Sequence, residues 1–343
     1  MRITYVVPAL KQKGGIQEFA LTIYGRLMNR HSVELVDWSD SVGAVRKGIM
    51  KALPESKAAE MYWKISKKDF PAADIIHFWH PEPSIGAEGR YVVSAHGMEI
   101  MPESVKGYRR HAYSRSFEAS VFVHANSTFT ARTLMEGFDV DKWKIRTINP
   151  PLTVGISRMR RKNEVPVIGT LSRLVKRKNI PTIIDALDIL HDRKEPFRYV
   201  LAGDGPMQDE ITKCLKKAGF EWEYMGEISE KKKRNSFYPG IDVFVLPTLQ
   251  LPDDVEGFGM VYLEANAYGV PVVAARNGGV PDAVKEGVSG RFARPDDPVN
   301  IADVILKVLR ERDRYEESAR AWAERFLPSK MVPEFEKMYS DAL

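Results

Sequence analysis

At 343 residues the chain is too long for one ordinary core and suits two domains of about 150 residues each. Its 44% hydrophobic and 28% charged residues are globular proportions, and no apolar run approaches the roughly 18 residues of a spanning helix, which gives the expectation of a soluble or surface-bound protein. The net charge of +5 lies wholly in residues 1–150, with 21 Lys+Arg against 16 Asp+Glu, whereas the remainder holds 30 of each.

From the N-terminus, Met1 leads at once into the strand-like RITYVV, which leaves no room for a secretory signal and gives the expectation of a cytoplasmic protein. The amphipathic stretch QEFALTIYGRLMN follows, then SVELVDW, DIIHFW, YVVSAH and VFVHAN, and the helical STFTARTLMEGF. Short β-branched runs alternating with amphipathic stretches predict β-α units around a parallel sheet. The Pro150–Pro151 pair and the basic run after it predict a linker over 150–164. A second series begins at PVIGTLSRL and runs through IPTIIDALDILHD, RYVLAGDGP, MQDEITKCLKKAG, EYMGEIS, DVFVLPT, GMVYLEANAYG and VPVVAA. The predicted fold is therefore α/β, with two doubly wound parallel sheets facing a cleft: residues 1–152 for the first domain, 165–326 for the second, and a terminal helix over 327–343 packing back on the first. Ligands of such sheets gather beyond the carboxyl ends of the strands.

The single cysteine, Cys214, forms no internal disulfide and sits in an ordinary helical setting. Six of the seven histidines lie in the first half, so side chains that titrate near neutrality are concentrated there. In DIIHFWHPEPS, His77 and His80 end a strand and are candidates for lining an acceptor pocket. With no third ligand at helpful spacing, they are not read as a zinc site. His111 and His124 read as structural or exposed. Gly14 and Gly15 follow the first strand, as either a plain tight turn or a phosphate-facing loop, and the absence of G-x-G-x-x-G argues against a nicotinamide-binding half.

The densest chemistry begins at Glu256. Gly257 and Gly259 have no Cβ, which lets backbone N–H groups approach a ligand, and Gly259 opens a helix whose N-terminus attracts anions, so Gly257, Phe258, Gly259 and Met260 form a candidate phosphate-binding turn. Glu264 lies eight residues beyond Glu256, too far along the helix to be its surface neighbour, so the two carboxylates serve different parts of a ligand. Arg173 and Lys178, at the end of the VIGTLSRL strand and in the loop after it, supply a fork of donors and a point charge of the kind a pyrophosphate needs.

EGFGMVYLE resembles the E-x7-E motif of the large retaining glycosyltransferase family often called family 4, which has the GT-B fold. AYGVPVVAARNGGVPD resembles that family's next strand and glycine turn. TLSRLVKRKN resembles its diphosphate-binding strand end, LAGDGP and MGEIS fall at the expected intervals, and KQKGGIQEFA resembles its N-terminal glycine loop. The likeness covers essentially the whole chain, strongly from about residue 165 onward. Asn179 stands where the family usually has Gly, a mild departure because Asn tolerates left-handed backbone.

The resemblance implies a nucleotide-diphosphate sugar, UDP- or GDP-linked, as co-substrate, with no cofactor and no metal. It implies that Arg173 and Lys178 hold the diphosphate and stabilise it as leaving group, Glu264 the ribose hydroxyls, and Glu256 hydroxyls of the transferred hexose. It also gives His96, at the end of YVVSAH, a catalytic or sugar-positioning role, places the N-terminal glycine loop at the donor, and points to backbone around Met225 to Ile228 as the reader of the base. Retaining hydrolases set two carboxyl groups about 5 to 5.5 Å apart and use one as nucleophile; no second carboxylate stands out here, in keeping with the family's front-face mechanism.

The expected acceptor is a hydroxyl of a glycan or lipid-linked molecule. The basic, aromatic stretches SKAAEMYWKISKKD and SVKGYRRHAYSRSF, with Tyr62, Trp63, Tyr108 and Tyr113, read either as an ordinary solvated face or as one suited to an anionic surface or nucleic acid; with a lipid-linked acceptor the expected partner is the cytoplasmic membrane face, and no nucleic acid. The Lys231–Arg234 run reads as solvated. A nucleotide-sugar 2-epimerase, another GT-B enzyme and a non-catalytic nucleic-acid or membrane-binding module are the alternatives to be told apart by experiment.

Overall fold

A computed structural model describes residues 1–10, 14–38, 54, 57–58, 60–61, 69–158, 161 and 163–343. Two compact units emerge. The first comprises Met1–Thr153, Pro252–Phe258 and Pro328–Leu343, and the second Val154–Leu251 and Gly259–Leu327. The short segment Pro252–Phe258 therefore differs from the expectation: it packs with the first unit although it lies within the 165–326 stretch.

The first unit runs β1 (Arg2–Pro8), α1 (Gly15–Leu27), β2 (Ser32–Trp38), β3 (Ile75–Phe78), β4 (Tyr91–Ala95), α2 (Tyr108–Ala119), β5 (Phe122–Ala125), α3 (Thr128–Phe138) and β6 (Ile145–Thr147). Its sheet has the order β2-β1-β3-β4-β5-β6, with every pair parallel. Order reverses where β1 meets β3. A parallel sheet covered on both faces needs strands that are apolar on both sides, and β4, YVVSA, is buried at every position. Ser127 caps α3 by accepting the Thr130 N–H at 3.2 Å.

The second unit runs β7 (Val167–Leu171), α4 (Ile180–Asp192), β8 (Arg198–Ala202), α5 (Gln208–Leu215), β9 (Glu221–Tyr224), β10 (Val243–Leu246), α6 (Met260–Ala267), β11 (Val272–Ala274), β12 (Gly290–Phe292), α7 (Pro298–Arg310) and α8 (Arg312–Glu324). Its parallel sheet, β12-β11-β10-β7-β8-β9, reverses order between β7 and β10. In α4, Pro181 sits in the first turn, where its missing N–H costs nothing, and Ile180, Ile183, Ile184, Leu187 and Leu190 form the buried stripe.

The last helix, α9 (Pro328–Asp341), belongs to the first unit and contacts α1. Val332, Phe335, Met338 and Tyr339 join Phe19, Ile23, Trp79 and Ile148 in one core cluster. No helix among the described residues is long and apolar enough to cross a membrane.

Candidate functional site

In a doubly wound sheet the ligand crevice opens where the strand order reverses, beyond the carboxyl ends of the strands. In the second unit that point is flanked by the ends of β7 and β10. Arg173, just past β7, is exposed, whereas Lys178 is buried and closes a short 3-10 turn. Asn179 takes φ 60° and ψ 30°, a left-handed conformation that Asn tolerates. Its Nδ2 donates to the carbonyls of Pro247 (3.1 Å) and Pro295 (2.6 Å), and its Oδ1 accepts from Thr182 Oγ1 (2.7 Å). The Leu249 N–H donates to Arg177 O, and Asn277 Nδ2 to Thr248 O at 2.8 Å. The loop carrying Arg173 and Lys178 is thus sewn to the end of β10. Ser172 Oγ and Thr248 Oγ1 are buried at the same edge with no hydrogen-bond partner among the described residues.

The glycines of LAGDGP have a packing reason. Gly203 has φ 131°, and a Cβ there would lie 1.8 Å from Ser172 O; a Cβ on Gly205 would meet Leu174 O at 2.5 Å. Only glycine lets the β8 loop lie against the β7 loop. Gly259, at φ 97° and ψ 58°, precedes α6, whose N-terminus no side chain caps. Glu264 is buried in α6 and accepts from Tyr238 Oη at 2.5 Å, while Tyr238 stacks on Tyr268. One carboxylate oxygen is therefore held in place, and Tyr238, which no sequence signal flagged, does the holding.

The first unit gathers the histidines. His96, buried at the end of β4, directs Nε2 at Trp79 O, 3.0 Å away. A carbonyl only accepts, so Nε2 carries the proton and Nδ1 keeps the lone pair in the neutral ring. Burial holds the ring down at about 4, only partly offset by that hydrogen bond, so His96 is neutral at physiological pH. His80, half-buried just beyond β3, accepts the Glu82 N–H at Nδ1 and is pulled down to about 3 by burial and then by His96 and Arg109.

His77 stands elsewhere. It is fully buried, Nδ1 bonds Tyr339 Oη at 2.7 Å, and Nε2 bonds Ser94 Oγ at 2.7 Å, so both nitrogens are spent inside the core and the ring does not line an acceptor pocket. β3 is covered on both faces, so a side chain at this position lies in the core whichever way the strand turns it.

Gly14 caps α1 in extended conformation and Gly15 is its first residue, both exposed beyond β1 and close in sequence to the β1–β3 switch point. Glu256, Gly257 and Phe258 lie in the segment assigned to the first unit. Gly257 does not merely leave room for a ligand: a Cβ there would fall 1.8 Å from His96 O. Phe258 is buried, whereas Met260, the first residue of α6, is partly exposed.

Among the described residues no group of three or more His, Cys, Asp and Glu side chains is placed to hold a metal ion. Of the basic aromatic stretches, Tyr62 and Trp63 lie outside the described residues. Tyr113 is not at the surface: it is buried and gives its hydroxyl to Glu82, which also pairs with Arg109 at 2.5 Å. A phenol packed beneath α2 needs a buried acceptor, and Glu82 supplies it.

Residues 157–325 match the model of the family described as glycosyl transferases group 1. The chain belongs to that family. This glycosyltransferase is 29% identical over 343 residues to the GDP-mannose-dependent alpha-(1-6)-phosphatidylinositol monomannoside mannosyltransferase of Mycolicibacterium smegmatis, covering 88% of this chain and 87% of that one. The Mycobacterium tuberculosis enzyme of the same name is 29% identical over 264 residues, 71% and 67% of the two chains. The glycosyltransferase also shares its fold with Anabaena HepE solved in complex with UDP (TM-score 0.77, 18% identity, 99% and 100% coverage). Sucrose-phosphate synthase of Thermosynechococcus elongatus gives a TM-score of 0.74 at 16% identity, covering 99% and 98%. The two doubly wound sheets are those of the GT-B fold.

Proposed function

We propose that this glycosyltransferase moves a hexose from a UDP- or GDP-linked donor to a hydroxyl of a glycan or lipid-linked acceptor, with retention and without a metal. The observation that supports the reading is that exposed Arg173 and buried Lys178 lie in one loop at the switch point of the second sheet, a loop tied down by Asn179. Cationic side chains there supply the charge a diphosphate leaving group requires. The relatives named as GDP-mannose-dependent mannosyltransferases support a nucleotide-sugar donor and a lipid-linked acceptor.

In this reading Arg173 and Lys178 take the diphosphate, the Gly257–Met260 turn a phosphate, Gly14 and Gly15 the donor side of the first unit, and Glu264 the ribose. Glu256 and neutral His96 hold hydroxyls of the sugar. The bond from the anomeric carbon to the diphosphate oxygen breaks, the acceptor oxygen bonds to that carbon on the same face, and the acceptor proton passes to the departing phosphate. Basic residues of the first unit would bring the protein to an anionic cytoplasmic membrane face.

The test incubates the protein with UDP- and GDP-sugars, with and without acceptor extract, and follows release of nucleoside diphosphate. Anomeric couplings of the product report retention, and EDTA should leave the rate unchanged. Glu256→Ala and His96→Ala should each lose most transfer while the protein stays folded. A strict metal requirement, or an inverted product, would sink this reading.

A further inference from the structure

His96 is held by more than its ring. Its backbone N–H donates to Glu99 Oε1, its carbonyl accepts from Asn126 Nδ2 at 3.0 Å, and its Nε2 donates to Trp79 O. Asn126, 5% exposed, spends every polar group inside the protein. Its Oδ1 accepts from Thr130 Oγ1 at 2.7 Å, its carbonyl accepts from Asn149 Nδ2 at 3.1 Å, and its N–H donates to Ala95 O at 3.2 Å. Thr130 and the His96 carbonyl together fix which way the amide points, since a flipped amide would set oxygen against oxygen.

The same carbonyl is a docking point. Gly97, at φ 117° and ψ −70°, has a conformation that favours glycine, and a Cβ on it would come within 3.1 Å of Gly257 Cα. A Cβ on Gly257 would lie 1.8 Å from His96 O and 3.1 Å from Asn126 Nδ2. Two glycines thus allow one stretch of backbone to rest on another, and Glu256 is the residue before Gly257. Any shift of the His96 peptide moves both residues assigned to the sugar.

We infer that Asn126 and Glu99 are positioning residues for transfer: they pin the His96–Gly97 turn, and through it the seat of the Glu256–Gly257 segment. The inference rests on the sugar-binding roles proposed for His96 and Glu256. Neither residue binds the nucleotide in this scheme, so the effect falls on the chemical step.

Asn126→Asp and Glu99→Gln keep side-chain shape while removing the donor to His96 O and weakening the acceptor for His96 N–H. The full-length variants are assayed for kcat and donor KM, for nucleoside-diphosphate affinity by calorimetry, and for the His96 ring 15N shifts by NMR. The expected result is a kcat lower by about 10-fold or more, since misplacement on the order of 1 Å can cost about 100-fold. KM and nucleotide affinity should stay within about twofold, and the 15N shifts should move away from the Nε2–H tautomer. A kcat within about twofold of wild type in both variants overturns the inference, as does a kcat loss accompanied by an equal loss of nucleotide affinity. If the wild type transfers no sugar, the functional reading fails by itself, and the 15N shifts still decide the pin: unchanged shifts in both variants overturn it. Should Asn126→Asp not fold, Glu99→Gln carries the test.

Discussion

Arg173 and Lys178 belong to one short loop but differ in exposure, and that difference predicts different penalties. If exposed Arg173 takes the diphosphate as proposed, Arg173→Ala should raise the dissociation constant for nucleoside diphosphate by about 10-fold or more without lowering the melting temperature, as calorimetry and a thermal scan will show. A charge-assisted hydrogen bond of about 1.5–3 kcal/mol corresponds to that factor. Gly203→Ala should do the reverse. Its Cβ would meet Ser172 O at 1.8 Å in a backbone conformation that L residues rarely adopt, so denaturant titration should show a loss of at least about 2 kcal/mol. The Glu256, Gly257 and Gly259 pattern was legible because its spacing is local. Asn126 left no such trace: its partner, His96, lies 30 residues away in sequence, and an asparagine at the end of a strand looks like any turn residue. Tyr238 was silent for the same reason, standing 26 residues from Glu264.

Along the elements of the first unit runs a buried chain of hydrogen bonds whose direction is set at one end. Ile148 O accepts from His124 Nε2 at 2.8 Å, so His124 Nδ1 takes the Ser94 hydroxyl proton, Ser94 accepts from His77 Nε2, His77 Nδ1 accepts from Tyr339, and Tyr339 accepts from Tyr5. The chain links β5, β4 and β3 to α9 and β1. It also makes the unit sensitive to acid. Burial lowers His77 well below its ordinary range, His124 to about 3 and His96 to about 4. Unfolded histidines bind protons below about pH 6.5. The folded rings do not, so stability is fully present above that pH and is lost as pH falls toward 4. By pH 5.5 each ring should cost on the order of 1 kcal/mol, visible as a falling denaturation midpoint. Tyr339→Phe should remove about 1–3 kcal/mol, because His77 Nδ1 loses its donor and Tyr5 its acceptor in a site without water access. The strands and helices that carry these residues were readable from periodicity. That His77 faces inward was not, because β3 is buried on both faces and its four-residue run IIHF shows no alternation.

At the scale of the whole molecule, the first unit is closed by the chain's last helix. Phe335, Met338 and Tyr339 are buried against α1 and the first sheet, and each such side chain contributes about 1.5–3 kcal/mol. A chain ending at Leu327 should therefore lose the cooperative unfolding of the first unit while the second keeps its own transition, which differential calorimetry will resolve. The sequence by itself determined the alternation of strand and helix, two doubly wound sheets, and membership of a glycosyltransferase family, because these follow from hydrophobic period and from motifs whose residues are neighbours along the chain. Only the tertiary structure decided that Pro252–Phe258 packs with the first unit, that Gly257 rests on the His96 carbonyl, that His77 is core and that Asn126 faces His96. Each of these depends on contacts between residues far apart in sequence, where the loss of a Cβ or the aim of one amide matters, and no local pattern of residue types records such a contact.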